Sequence, residues 1–418
     1  MRSKPATVAE LYREPVKLYI RSSHELNSLK EEKMSGNIIG MFEETYGQKP
    51  LAVAKAPGRL EILGNHTDYN EGFVLSCAVS QATEFAILPV EGRDCELRDF
   101  RDGSCRKFNL DNIDTPEKGD WSNYVKGMIC ELRKKGKDIG AFKGAILSTV
   151  PLSAGMSSSA ALEISAGFAF AEAFGIELSN PDWARVGQGV ENNYMGLQSG
   201  LLDQFSSIFG EKDSLILCDF RSVTVEKTIH FPAGYVFAVV NSMIKHDLVD
   251  SDYNLRRISC EKVAAAMHEK HPEVKALRDV STAMLNDARD ILDDQDYRIA
   301  LHVVGECERV HQGVEILEKG DVEEFGKLLF ESHESSKINF TNSCPEMDIL
   351  IDLAKDNSKC LGARLSGGGF GGITIHLVKE EDAADYCGEI SRGYKEKTGI
   401  DPETIICAMG NGAAVTRI

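Results

Sequence analysis

The chain has 418 residues, 42% hydrophobic and 27% charged, a composition of a globular protein of two or three domains and not of a disordered, collagenous or membrane-embedded one. Its 47 Lys and Arg stand against 65 Asp and Glu, and the net charge of −18 argues against nucleic acid or anionic lipid as a partner. An anionic small ligand must therefore be caught by local structure.

In chain order, residues 1–36 are polar, with a helix-like AELYREPVKLYI interrupted by Pro15, and read as an extension. They lack the apolar run and A-x-A site of a secretion signal, so a cytoplasmic protein is expected. From Leu51 come strand-like runs (LAVAKA, LEIL, FVLSCAV, TEFAILPV) separated by turn signals. A helix is predicted over Trp121–Lys135, a strand over Phe142–Val150 and a helix rich in small residues over Ser158–Phe174. An amphipathic helix follows from about Asp182, with Trp183, Val186, Val190 and Tyr194 on one face. Strand-like SLILCDF and YVFAVVNS lead into long charged helices at Arg256–Lys270, Arg298–Gln312 and Val322–Ser332. The chain closes with a Gly-rich segment, the strand ITIHLV, a helix over Glu381–Lys397 and the strand TIICAM.

Strands and helices mixed without regular βαβ alternation predict an α+β fold. The boundary is expected near residues 220–235, dividing the chain into an extension 1–36, a first domain 37–225 and a second domain 226–418. The most apolar helical stretch, Ala160–Ile176, carries Glu163 and Glu172 and is too short and charged to cross a bilayer. The 11 cysteines are odd in number and form no C-x-x-C pair, which reads as reduced thiols.

Three segments carry chemistry. Pro151–Ala161 (PLSAGMSSSAA) lies between a predicted strand and a predicted helix. Small residues there let a phosphate approach the unpaired N–H groups of a helix start, although a lone Ser triplet reads more simply as a helix cap. The G-x-x-x-x-G-K-[ST] loop is absent. Ser366–Gly372 (SGGGFGG) satisfies G-x-G-x-x-G at Gly367, Gly369 and Gly372, but a strand follows where a dinucleotide fingerprint requires a helix. In Ala56–Asn70, Arg59, His66 and Asp68 crowd a Gly-framed strand-to-turn junction suited to hydroxyl recognition.

Together, in this order and spacing, these segments resemble the three motifs of the GHMP small-molecule kinases, most closely the galactokinase branch. The patterns G-R-x-N-x-I-G-E-H-T-D-Y-N, P-L-G-x-G-L-S-S-S-A and G-A-G-F-G-G are met here by GRLEILGNHTDYN, PLSAGMSSSA and GGGFGG. ENNYMGLQSGLLDQF (Glu191–Phe205) is similar to a fourth pattern, E-H-x-x-x-G-x-x-x-G-x-x-D-Q. The resemblance implies a two-domain GHMP kinase fold, with an N-terminal ribosomal-protein-S5-domain-2-like domain and a C-terminal ferredoxin-like α/β sandwich. It implies transfer of a phosphoryl group from ATP to the anomeric hydroxyl of galactose or a related sugar, giving the α-sugar 1-phosphate.

By the same resemblance, Ser153, Ala154, Gly155, Met156, Ser157, Ser158 and Ser159 cradle the ATP phosphates, and Ser159 and Glu191 bind Mg²⁺, with the choice between Ser158 and Ser159 left open. Asp203 is implied as the catalytic base, with Arg59 beside it. Asn65, His66, Thr67, Asp68 and Tyr253 are implied at the sugar, and Gly367–Gly372 braces the phosphate loop. The partners are then a small-molecule sugar and ATP, with no nucleic acid and no membrane. A monomer is expected, with an oligomer left open. Two departures bear on this. Ser153 puts a Cβ where the pattern has Gly. Asn65 stands where the pattern has a Glu that faces the C6 end of the sugar, so galacturonate or a pentose is an alternative substrate, and a non-catalytic sugar and ATP sensor is an alternative to an enzyme.

Overall fold

The computed structural model describes residues 38–151, 155–197, 199–245 and 249–418, without the side chains of residues 245 and 249–253. The expected extension, Ser153, Ala154 and the Tyr253 side chain lie outside the described residues.

Residues 38–46 are helical (α1), and Ile38 and Phe42, four apart, are fully buried against Ala86 and Ala145. Two long antiparallel strands, β1 (Ala52–Leu63) and β2 (Phe73–Pro89), follow, with register shifts at Pro57/Arg59 and Glu61/Leu63. Proline lacks the N–H a regular ladder needs, and a bulge is where a strand accommodates it. Next come β3 (Asp94–Asp99), β4 (Cys105–Asn109), α2 (Asn123–Lys134), β5 (Phe142–Ser148), α3 (Ser158–Phe174), α4 (Asn180–Gly189), α5 (Leu202–Phe209), β6 (Ser214–Asp219) and β7 (Thr224–His230). With β12 (Ala414–Arg417) from the end of the chain, these strands form an eight-stranded sheet in the order β12-β1-β2-β5-β3-β4, with β6 on β2 and β7 on β6. The remaining elements are β8 (Tyr235–Lys245), α6 (Val249–Lys270), α7 (Thr282–Asp287), α8 (Asp294–Glu318), α9 (Val322–Ser335), α10 (Pro345–Lys355), β9 (Cys360–Ser366), β10 (Gly371–Lys379), α11 (Ala383–Thr398), β11 (Glu403–Cys407) and β12 (Ala414–Arg417). A second sheet of four antiparallel strands has the order β11-β8-β10-β9.

The α+β expectation holds, and α3 spans the predicted residues. It is apolar nearly all round because it lies on β1 and β2 with helices on its other side. Its small residues permit that approach, since a Cβ on Gly167 would come within 2.6 Å of Met128. The predicted amphipathic helix stops early: α4 ends at Gly189, and Val190–Tyr194 is a π-helical turn. Such turns insert an extra residue and redirect side chains, here that of Glu191. The chain passes from one sheet to the other between His230 and Tyr235, and β12 then returns to pair with β1, a crossing that linear reading does not reveal. All 11 cysteines are unpaired, and all but Cys105 and Cys360 are buried.

Helix α9 meets β9 at unusually close range. A Cβ on Gly362 would lie 1.9 Å from the Gly326 carbonyl oxygen, and one on Gly326 would lie 2.2 Å from that of Leu361. Since backbone and not flexible side chain stands in the way, Gly362→Ala is expected to destabilise the fold by about 1–3 kcal/mol or more. Urea unfolding checks this, with a lowered midpoint at unchanged slope as the expected result.

Candidate active site

A cavity of about 290 Å³ opens where the end of β1, the π-helical turn, the start of α5 and the glycine turn between β9 and β10 converge. Arg59, Asp203, Glu191, Asp68, His66 and Gly367 all line it, so one cavity gathers residues from three of the four sequence patterns, and the fourth, Pro151–Ala161, reaches it through the contacts of Gly155, Ser157 and Ser159.

Arg59 Nε donates to Asp203 Oδ1 at 2.8 Å, Nη2 lies 2.7 Å from the same oxygen, and Nη1 donates to the Gly155 carbonyl at 2.6 Å. Burial works against the arginine charge, but Asp203 and Glu61 more than offset it and raise its pKa. Asp203 sits in the first turn of α5, where the helix dipole favours a carboxylate. Its other oxygen, Oδ2, accepts from Ser157 Oγ at 2.5 Å. Ser157 precedes α3 in the left-handed conformation (φ 56°, ψ 52°) and makes no capping bond. A non-glycine residue held there costs on the order of 1–3 kcal/mol. The serine triplet is thus not spent on capping: Ser157 reaches Asp203, and Ser159 Oγ donates to Glu191 Oε1 at 3.2 Å.

Glu191 also accepts from Ser199 Oγ. Burial raises its pKa, and Asp203 adds to the effect. Beneath it, Glu163 on α3 is fully buried, pushed well up by burial and by Glu191, and held by Gln204 Nε2 at 2.9 Å. Ser159 and Glu191 offer adjacent hard oxygen donors of the kind Mg²⁺ takes when phosphates and waters complete its shell. Of the two candidate serines, Ser159 is the one beside the carboxylate. Met156 is buried, and its carbonyl accepts from the Arg59 N–H.

The turn after β1 supplies the other wall. Thr67 is completely buried, and its hydroxyl bonds the Gly64 and Phe73 carbonyls. It locks the turn and does not line the cavity. His66, at φ 60°, lies against Phe340 and bonds Tyr69 Oη and the Gly368 carbonyl. Burial lowers its pKa to about 3, which keeps the ring neutral. Asp68 fits against Gly200 so closely that a Cβ there would lie 1.5 Å from Oδ2. Loss of hydration raises the Asp68 pKa to about 7, helped by Glu61 and Asp203. Asn65 is fully buried: Nδ2 donates to Glu61 Oε1 at 2.8 Å and the Gly367 carbonyl at 2.9 Å, and Oδ1 accepts from Asn342 at 3.0 Å. Sequence reasoning missed Glu61, which also lines the cavity. The signal was present, since the pattern has Asn at that position and the chain has Glu. A carboxylate therefore remains in this wall despite Asn65, which removes the ground for expecting galacturonate in place of galactose.

Fold and site together define a small-molecule kinase of the GHMP type. The GHMP kinases N-terminal domain matches residues 123–211, the GHMP kinases C-terminal domain residues 314–390, and the galactokinase galactose-binding signature residues 41–89. The chain is 34% identical over 380 residues to a galactokinase of Roseiflexus sp. (strain RS-1), covering 90% of this chain and 96% of that protein. It is also 34% identical over 377 residues to one of Chloroflexus aggregans, with the same coverage. The structure of Lactococcus lactis galactokinase complexed with galactose superposes with a TM-score of 0.86 at 28% identity, covering 91% of this chain and 99% of that one. The chain belongs to the galactokinase family.

The Asp68 shift has a sign that can be measured. Between the ordinary carboxyl value of 3.8 and about 7, the folded protein holds a proton that the unfolded chain has released, so rising pH erodes stability across that window. Without sugar, the melting temperature of the wild type is expected to fall relative to that of Asp68→Asn as pH rises from about 4 to about 7. A constant difference would mean that Asp68 titrates as an ordinary carboxylate.

Proposed function

We propose that the protein is an ATP-dependent galactokinase that phosphorylates the C1 hydroxyl of galactose to α-galactose 1-phosphate. The observation that carries the reading is the Asp203 carboxylate gripped by Arg59 on one oxygen and Ser157 on the other, at the meeting point of the phosphate segment and the cavity. The galactose-binding signature over residues 41–89 supports the choice of sugar.

In this mechanism Asp203 takes the proton of the anomeric hydroxyl as that oxygen attacks the γ-phosphorus and the β–γ bridging oxygen leaves with ADP. Arg59 fixes the carboxylate and offsets charge on the phosphoryl group in flight. The first N–H groups of α3 and the segment from Ser153 to Ser159 hold the phosphates. Ser159 and Glu191 would hold Mg²⁺, which would supply positive charge to offset that of the phosphates. Asp68, His66 and Asn65 form the sugar wall, Asn65 indirectly by holding Glu61, and Tyr253 is proposed to close it on sequence grounds. We read the chain as a cytoplasmic monomer of two domains divided inside the expected 220–235 range, between His230 and Tyr235 where the chain changes sheet; a division at 225/226 would cut β7.

Asp203→Asn tests the base. The substitution keeps size and hydrogen bonding but removes the proton acceptor, so kcat is expected to fall about 10²–10⁴-fold with galactose affinity kept. The check is ADP release alongside galactose titration by calorimetry. Turnover near that of the wild type would dismiss Asp203 as the base.

A further inference from the structure

The Asn65 side chain has nothing left to donate to a sugar. Both hydrogens of its amide nitrogen are committed, one to Glu61 and one to the Gly367 carbonyl, and a primary amide has two. Glu61 is in the opposite condition. Its Oε1 receives Asn65 Nδ2 at 2.8 Å and Arg364 Nη2 at 2.9 Å, which fixes the carboxylate in place. Its Oε2 has no hydrogen-bond partner among the described residues, and the residue lines the cavity. That oxygen is an acceptor open to the cavity.

Its position along β1 says what it can reach. Arg59 and Glu61 pair in regular register with Ala78 and Ser76 of β2, so both point to one face of the strand, about 7 Å apart along it. Arg59 holds Asp203, where the anomeric hydroxyl must lie for transfer. Glu61 therefore faces a part of the sugar displaced from C1 by about the length of a pyranose ring. In the GRLEILGN segment the amide and the carboxylate stand in the reverse order to the pattern G-R-x-N-x-I-G-E, and the two side chains still touch.

Resting on the galactokinase reading, we propose that Glu61 is the specificity-determining residue of the sugar pocket: its open carboxylate oxygen accepts a hydrogen bond from a hydroxyl at the end of the sugar remote from C1. The same charge excludes sugars that carry a carboxylate at that end, since like charges brought together in a pocket repel. Asn65 acts through Glu61 as a positioning residue.

The test is a substrate panel of galactose, 2-, 4- and 6-deoxygalactose and galacturonate, assayed by ADP release for the wild type and Glu61→Gln. The variant is expected to raise the galactose KM about tenfold, as for loss of a hydrogen bond to a charged group, with kcat changed less than about threefold. That penalty should disappear on the 4- or the 6-deoxy sugar, whichever lacks the hydroxyl that Glu61 reads, and persist on the 2-deoxy sugar. An equal penalty on all three deoxy sugars would overturn the assignment. The wild type alone gives a second readout that does not depend on the variant folding: kcat/KM for galacturonate is expected at least about 100-fold below that for galactose. Comparable turnover of the two sugars refutes the inference about Glu61 while leaving a sugar kinase in place. A wild type that phosphorylates none of the panel brings down the galactokinase reading itself.

Discussion

Arg364 of β9 lies completely buried between two carboxylates, Glu61 of β1 at 2.9 Å and Glu306 of α8 at 3.9 Å, and donates to the Ile62 carbonyl at 3.0 Å. Three elements distant in sequence meet on this guanidinium, and each belongs to a different part of the fold. Glu306 also accepts from the backbone N–H groups of Gly64 and Asn65, both at 2.9 Å, and from Arg309 at 2.6 Å. Burial opposes its charge, but Arg309 and Arg364 outweigh it and hold the carboxyl well below the usual range. Exchanging such a network for apolar side chains can be neutral, whereas removing one member strands a buried charge at a cost of about 3–5 kcal/mol. The network is therefore better understood as fixing geometry than as adding stability. It determines where the turn after β1 begins, and so where Asn65, His66 and Asp68 stand.

The conformation of the site follows from that anchoring. His66 and Ser157 both occupy left-handed backbone that non-glycine residues avoid, and both have side chains committed to partners across the cavity floor. His66 meets the glycine turn between β9 and β10 through Gly368, and Ser157 meets α5 through Asp203. The glycine turn answers both sides. Gly367 carries φ 87°, accepts from Asn65 at its carbonyl, and would place a Cβ 3.8 Å from the Gly155 carbonyl oxygen. The third sequence pattern thus meets the turn after β1 as well as the segment before α3, through Gly367 and Gly368.

Much of this was legible in the sequence because the relevant signals are local. The small-residue helix over Ser158–Phe174 and the turn at Ala56–Asn70 are written in consecutive residues, and two of the patterns name Arg59, Asp68, Glu191 and Asp203, which the fold brings to one cavity. What escaped depends on contacts between distant residues. Arg364, Glu306 and Asn342 belong to no pattern, and only packing shows that they surround Asn65. A chain-order reading of Val190 and Tyr194 as helix positions ran through the π-helical turn because hydrophobic spacing cannot register a one-residue insertion. The Asn65 substitution was visible, but its meaning required seeing that its amide faces Glu61.

The net charge of −18 has a counterpart inside the site, where Glu61, Asp68, Glu163, Glu191 and Asp203 crowd around Arg59 and Arg364. Desolvation and mutual repulsion raise the pKa values of Glu61, Asp68, Glu163 and Glu191, the signature of a cavity short of positive charge. A neutral sugar suits such a cavity, because hydroxyls are donors and carboxylates are the strongest acceptors a protein offers them. A triphosphate does not suit it, and on the proposed reading its attraction comes from the segment before α3 and the start of that helix, where the helix dipole presents a positive end without adding a titratable group. On that reading the acidic cavity and the uncharged segment before α3 are two halves of one solution, separating a ligand rich in donors from a ligand rich in negative charge.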